Sequence, residues 1–228
     1  MSVLEAAIGW LAPPQCVGCG QEGHALCINC ATSEFLAFGE RCWRCDKLSP
    51  LGKTCASCRR LGPPNFVWIT TNYDGLVPRL IHQYKFAHQR AAARPIAKLM
   101  VETFKSFNST SPPQYIVVPV PTATNRMRER GFGHTELLAK TIARSLRFEF
   151  SSSLARLGQS RQLGSKRPQR LNQLKASFLV KNPEKVRGRH ILLIDDVTTT
   201  GGTVLAAAEA LRQAGAQRID ALLLAKKL

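Results

Sequence analysis

The run Ile191-Leu192-Leu193-Ile194-Asp195-Asp196-Val197-Thr198-Thr199-Thr200-Gly201-Gly202-Thr203 orders an apolar strand, an acidic pair, a hydroxyl-rich turn and a helix start. A strand apolar at every position belongs to a sheet covered on both faces. In open α/β sheets ligands bind outside the carboxyl ends of the strands, where this turn would lie. Gly201 and Gly202 let backbone come close to a bound group, and a helix N-terminus presents unpaired N–H groups to an anion. Thr199, Thr200 and Thr203 add hydroxyl donors. Asp195 and Asp196 would repel a phosphate, but they accept from sugar hydroxyls or from magnesium-bound water. Phosphate at one end and vicinal hydroxyls at the other describe a ribose 5-phosphate. A plain Asp-capped helix start accounts for one Asp and one Gly, not for the whole series. The turn is not a Walker loop, since no Gly-Lys-Ser/Thr follows, and no Gly-x-Gly-x-x-Gly follows this strand.

Working outward, VWITTNY (67–73) is β-rich, and LVPRLIHQYKF has helical spacing at Leu76, Leu80, Ile81 and Tyr84. Another helix is expected from Pro95, because Pro suits a first turn. Ser and Pro at 109–113 predict a surface loop. YIVVPVP (115–121) is a second apolar run, followed by a basic, Gly-containing stretch and a helix from Glu136 to Leu146. VLAAAEALRQAGA is helical and closed by Gly215, and IDALLLA (219–225) is a further buried strand. Apolar strands alternating with helices predict βαβ units and an α/β fold with a mostly parallel sheet.

All eight cysteines lie in the first 58 residues as four Cys-x-x-Cys pairs: Cys16/Cys19, Cys27/Cys30, Cys42/Cys45 and Cys55/Cys58. Two thiolates three positions apart on a tight turn point at one ion, and two such turns complete a tetrahedron. Eight soft ligands suit two structural zinc ions, with iron–sulfur as the alternative. The simplest division is Cys16, Cys19, Cys27 and Cys30 for one site and Cys42, Cys45, Cys55 and Cys58 for the other; a cross-braced division is also open. His24 reads as a surface residue, because the sulfur count is already complete. Metal binding would supply folding energy that so small a core lacks.

The chain has 228 residues and a formal net charge of +17. Residues 1–64 carry six Lys/Arg against five Asp/Glu, and residues 65–228 carry 26 against 10, so the excess belongs to the larger part. Gly62, Pro63 and Pro64 read as the linker between a Cys-rich domain (1–64) and an α/β domain (65–228). No apolar run approaches the roughly 20 residues that span a bilayer, which excludes a transmembrane helix. The start carries Glu5 and no basic residue, unlike a secretory signal, so a cytoplasmic protein without a disulfide framework is expected.

At this point residues 191–204 resemble the phosphoribosyl-diphosphate loop of type I phosphoribosyltransferases. With four Cys-x-x-Cys pairs in front, the chain resembles the ComF family (ComFC- and GntX-like proteins), which joins a zinc ribbon to such a domain. Pro13-Pro14-Gln15-Cys16-x-x-Cys19-Gly20 is similar to the family's entry into its zinc module, and Tyr73, Leu80-Ile81 and Lys85-Phe86 to a family segment ending in a Lys-aromatic pair. Arg128-Glu129-Arg130-Gly131-Phe132 matches its Arg-x-Arg-Gly-Phe, although Gly133-His134 stands where Asn-Gln is usual. Gln162 through Arg170 to Phe178 is similar to its flexible segment, with Gln173 where Asn is customary.

The resemblance implies binding of phosphoribosyl diphosphate with magnesium, pentosyl transfer to an unidentified acceptor, and a part in DNA uptake during natural competence. It implies Asp195 and Asp196 as the catalytic carboxylates and Thr199, Thr200, Gly201, Gly202 and Thr203 as the sugar-phosphate loop. Arg128 and Arg130, with Arg126 nearby, would hold pyrophosphate, and Gln162 and Arg170 would lie on a loop that closes over the site. A DNA-uptake helicase or other competence proteins are the implied partners. Separately, ten Lys/Arg and one acid between 156 and 189 suit a polyanion bound through released counterions. The alternative function is therefore a single-stranded-DNA-binding competence factor whose sugar-phosphate site is regulatory or vestigial. A plain base-salvage enzyme gains nothing from eight cysteines.

Overall fold

A computed structural model describes residues 13–86, 90–109, 112–122, 132–157 and 177–227. Two short helices, α1 (Ile28–Glu34) and α2 (Ala56–Arg59), each start directly after a cysteine. Strands and helices then alternate: β1 (Val67–Asn72), α3 (Val77–Phe86), α4 (Ala93–Phe107), β2 (Tyr115–Pro119), α5 (His134–Leu146) and β3 (Glu149–Phe150). A short antiparallel ribbon, β4 (Leu154–Arg156) with β5 (Phe178–Val180), precedes β6 (His190–Thr198), α6 (Gly202–Gln213) and β7 (Arg218–Lys226). The expected α/β fold is what forms. Its sheet runs β1-β7-β6-β2-β3 and is parallel throughout.

Parallel strands buried on both sides need a layer on each face. Alternate residues of β6 supply both: Leu192 and Ile194 join Leu80, Ile96 and Leu138 under α3, α4 and α5, while Ile191 and Leu193 join Val204, Ala207 and Leu211 of α6. Right-handed crossovers explain the split. From β2 the chain steps outward to β3 through α5, and from β6 it steps the other way to β7 through α6, so the two helices land on opposite faces. The two cysteine-rich stretches follow the same division. Cys16, Val17, Leu26 and Cys27 pack with Val77 and Leu80, whereas Cys42, Trp43 and Cys58 pack with Val204 and Ile69.

Several boundaries differ from the sequence expectation, among them the start of α5 at His134 rather than Glu136 and the extension of β7 to Arg218–Lys226. Strand β6 continues four residues past Ile194, because Asp195, Val197 and Thr198 pair with Leu223, Ala225 and Lys226 of β7. Helix α4 begins at Ala93, so Pro95 stands third in its first turn, where the missing N–H has no intrahelical partner to lose.

Candidate functional site

Because the connections leaving β6 and β2 run to opposite sides, the carboxyl ends of these two neighbours open a crevice, the usual ligand position in open α/β sheets. Val120 N–H donates to the Ile194 carbonyl at 2.9 Å, and the Thr135 hydroxyl donates to the Val120 carbonyl at 2.7 Å, which ties the end of β2 to the start of α5. That tie presents His134 to β6.

Asp195 and Asp196 are both buried. Adjacent strand residues face opposite sides of a sheet, and the pair is treated accordingly. Asp196 meets Lys85 Nζ from the end of α3 in a short ion pair, and its Oδ2 lies 3.2 Å from His134 Nε2. The other imidazole nitrogen, Nδ1, is 3.2 Å from Thr122 Oγ1, and Tyr84 donates to the His134 carbonyl at 2.5 Å. Burial opposes ionisation of Asp196, but the His134 hydrogen bond and the Lys85 charge override it and hold the carboxyl well below the usual range. Asp195 goes the other way. Burial, with the Asp196 charge beside it, pushes it up to about 8, although the Asp196 N–H donates to its Oδ1 at 2.9 Å. Within the pair the surroundings favour Asp196 as the anion and Asp195 as the acid. Pairs whose pKa values are driven apart in this way suit divided acid and acceptor roles.

After Thr198 the chain turns outward. Thr199 and Thr200 are exposed and Gly201 is buried, with φ +76° at the N-cap of α6. A side chain there would be strained in the left-handed region, and it would also collide with Trp43: an added Cβ would fall 2.1 Å from the indole Cζ3. Gly202 and Thr203 are half-buried in the first turn of α6. The expected acidic pair, hydroxyl bend and helix start thus converge at one strand end. Arg126, Arg128, Arg130, Gln162 and Arg170 lie outside the described residues, as does most of the basic segment.

Beside Lys85 and Val197 an open cleft of about 850 Å³ crosses the ends of β1, β6 and β7. Arg79, His82, Lys85 and Lys227 line it together with Tyr73, Phe86 and Gln83, and among the described residues no carboxylate does. The His82 and Phe86 rings lie 5.0 Å apart, centre to centre.

The thiols gather in the sequential division, Cys16/Cys19/Cys27/Cys30 and Cys42/Cys45/Cys55/Cys58, and the cross-braced arrangement does not form. All eight are free, and each set keeps its sulfurs within 4.8 Å of one another. Cys19 and Cys27 sulfurs are 3.8 Å apart, and Cys45 and Cys55 sulfurs 3.6 Å. A tetrahedral ion with metal–sulfur bonds of about 2.3 Å has sulfur–sulfur edges of about 3.8 Å, so both sets fit zinc. Ionisation is already shared out unevenly within the sets. Burial opposes ionisation of Cys16, yet backbone N–H groups bring it down to about 6, and the Ser57 hydroxyl helps bring Cys55 to about 6. A bound cation is what would let all four thiols of a set ionise together.

Sequence reasoning did not assign Lys85 and His134 to Asp196. Both stand in segments singled out for resemblance, but their meeting depends on α3 and α5 covering the same face. Trp43 carried no signal beyond its place between two cysteines.

Residues 135–228 match the phosphoribosyl transferase domain. DNA utilization protein YhgH of Escherichia coli O157:H7 is 30% identical over 180 residues, covering 76% of this chain and 78% of the relative. Competence protein ComFC of Bacillus subtilis (strain 168) is 30% identical over 203 residues, 83% and 79% of the two chains, and competence protein F of Haemophilus influenzae is 26% identical over 215 residues, 85% and 93%. Among solved structures, an allosteric regulatory enzyme of purine biosynthesis superposes with TM-score 0.43 at 12% identity, over 62% of this chain and 29% of that enzyme. With two four-cysteine sets in front of a phosphoribosyl transferase domain, and with competence and DNA-utilization proteins as its relatives across most of their length, the chain belongs to the ComF family.

Proposed function

We propose that this protein binds phosphoribosyl diphosphate at the turn between β6 and α6 and transfers its pentosyl group in the course of DNA uptake. The observation that carries the reading is the exposed Thr199-Thr200 bend, closed by left-handed Gly201 and continued by the twelve-residue helix α6, at the end of a strand bearing two buried carboxylates. The bend and the N–H groups of Gly201, Gly202 and Thr203 hold the 5-phosphate. Asp196, fixed by Lys85 and His134, accepts from one ribose hydroxyl, and Asp195, held as the acid, donates to the other. Arg128 and Arg130 hold the leaving pyrophosphate in two-pronged fashion, and Gln162 and Arg170 close over it. Asp195 and Asp196 would accept from magnesium-bound water, and the ion would supply positive charge against the diphosphate. Loss of pyrophosphate through an oxocarbenium-like state needs placed charge more than a protein nucleophile.

In this reading residues 1–64 form a metal module with one zinc in each four-cysteine set, and residues 65–228 form the transferase domain. Eight free thiols suit a reducing compartment, which favours the cytoplasm; among the described residues no helix is long and apolar enough to cross a membrane. Calorimetry with phosphoribosyl diphosphate and magnesium tests the reading. Binding is expected for the parent chain and lost in folded Asp195→Ala and Asp196→Ala. A folded parent without affinity would sink it.

A second reading, single-stranded DNA binding, is favoured by the cleft beside Lys85, where cations and two aromatic rings line an open surface without an acid among the described residues. Rings accept stacked bases and cations accept phosphates. Anisotropy of a labelled oligonucleotide should show affinity that falls steeply with salt and weakens in Arg79→Ala. Affinity indifferent to salt would exclude it.

A further inference from the structure

Gly201 has an unusual neighbour. The three atoms nearest to an added Cβ all belong to the six-membered ring of Trp43, at 2.1, 2.9 and 3.0 Å. Trp43 lies between Cys42 and Cys45, and it is 2% exposed. Its Nε1–H donates to Thr54 Oγ1 at 3.0 Å, and that hydroxyl donates to the Pro64 carbonyl at 2.8 Å. Thr54 in turn precedes Cys55. Both ends of the indole hydrogen bond are therefore next to ligands of the second cysteine set. The knuckle itself is closed by Asp46 N–H to the Cys42 carbonyl at 3.0 Å and Cys42 N–H to the Lys47 carbonyl at 2.8 Å. Ser49 N–H to the Glu40 carbonyl at 3.0 Å and the Lys226–Asp46 ion pair also anchor the stretch, and one ion bonded to all four sulfurs would tie the two turns directly to each other.

The first set stands elsewhere. Its Gly18 packs on Cys30 Sγ and on Leu76 Cδ1, beside the start of α3, and its buried cysteines, Cys16 and Cys27, belong to the cluster on the opposite face.

We infer that Trp43 is a positioning residue for the sugar-phosphate loop, and that metal in the Cys42/Cys45/Cys55/Cys58 set, but not in the Cys16/Cys19/Cys27/Cys30 set, determines whether that loop keeps its binding form. The metal fixes the two knuckles, the knuckles fix the Trp43–Thr54 bond, and the indole ring forms the floor on which the left-handed Gly201 rests. Loss of the ion frees the ring, and the bend above it loses the surface that shapes it. The inference takes its ligand from the proposed sugar-phosphate site, but the coupling itself can be read without any ligand.

The test compares full-length chains by hydrogen exchange over residues 198–205, by metal content and by calorimetry with phosphoribosyl diphosphate and magnesium. Cys55→Ser, with one metal equivalent lost, is expected to exchange at least about tenfold faster in that segment, while Cys19→Ser leaves it within about twofold. Trp43→Ala is expected to raise exchange there with both metals retained, and Trp43→Phe, which keeps an aromatic ring, to restore most of the protection. Where the parent binds the ligand, Cys55→Ser and Trp43→Ala should weaken it by about tenfold or more. Equal exchange in Cys55→Ser and Cys19→Ser overturns the inference, as does unchanged protection in a Trp43→Ala chain holding both metals. Should the parent show no affinity while exchange still follows the second set, the sugar-phosphate reading fails and the coupling stands.

Discussion

On one face of the sheet Asp196 is met by Lys85 and His134, and the first cysteine set leans on the same layer through Leu76 at the head of α3. On the other face, by strand alternation, stands Asp195, whose ionisation Lys85 and then Arg156 favour by charge alone, and Trp43, from between two cysteines of the second set, lies against Gly201. Two identical side chains, adjacent in sequence, have their pKa values shifted in opposite directions because a strand sends neighbours to opposite layers. The cysteine sets, each built from two Cys-x-x-Cys turns, inherit the same division. What each group does is set by the layer it faces rather than by its motif.

The largest test of this division is removal of one ligand from each set. Cys42→Ser and Cys19→Ser are each expected to lose one metal equivalent by elemental analysis. Binding of a structural zinc is worth on the order of 10 kcal/mol, and thermal melts should show the greater loss for Cys42, which is fully buried in the core of the second face, than for the exposed Cys19. Identical melts would erase the asymmetry.

A smaller effect separates the two carboxylates. Asp196→Ala leaves Lys85 facing a buried site without its counter-charge and should cost about 3–5 kcal/mol in urea unfolding. Asp195→Asn replaces a neutral acid by a neutral amide and should change stability by less than about 1 kcal/mol near pH 4, before ionisation of the unfolded carboxyl opens a gap between the two chains. Their pH dependences have opposite signs. Asp195 has a raised folded pKa, from 3.8 to about 8, so its contribution is complete in acid and is lost as pH rises through about 8; Asp195→Asn should abolish that decline. Asp196 is depressed, so its contribution is present above about pH 4 and is lost as pH falls below it. Urea midpoints that fall together in both variants would contradict the assignment.

The smallest effect on the fold belongs to the exposed bend. Thr199→Ala and Thr200→Ala should alter stability by no more than about 0.5 kcal/mol, yet each should weaken phosphoribosyl diphosphate by about five- to tenfold, the value of one hydrogen bond. Calorimetry and melts on the same samples separate the two quantities.

Much of this was legible in the chain itself. Four consecutive apolar residues at 191–194 required a doubly covered strand, and the division into two sets that the fold adopts is the simplest of those the cysteine spacing left open. The length of β6 was not legible. Asp195 and Asp196 look like the start of a loop, and they remain in the strand because β7 offers a paired edge and because Lys85, more than a hundred positions earlier, supplies a buried counter-charge. Trp43 was equally hidden, since its contact with Gly201 joins residues 158 positions apart and neither carries a local pattern that points to the other. Periodicity reports which way a residue faces; it does not report what waits there.

The position of β7 has a consequence for how the molecule is made. Strand β1 takes its ladder from β7, with Val67 opposite Ala221. A ribosome adding about 5–20 residues per second needs roughly eight to thirty seconds to deliver that partner. Throughout that interval the nascent chain carries an apolar strand with an open edge, and the cysteine knuckles, already outside the exit tunnel, are the local structure that can form beside it.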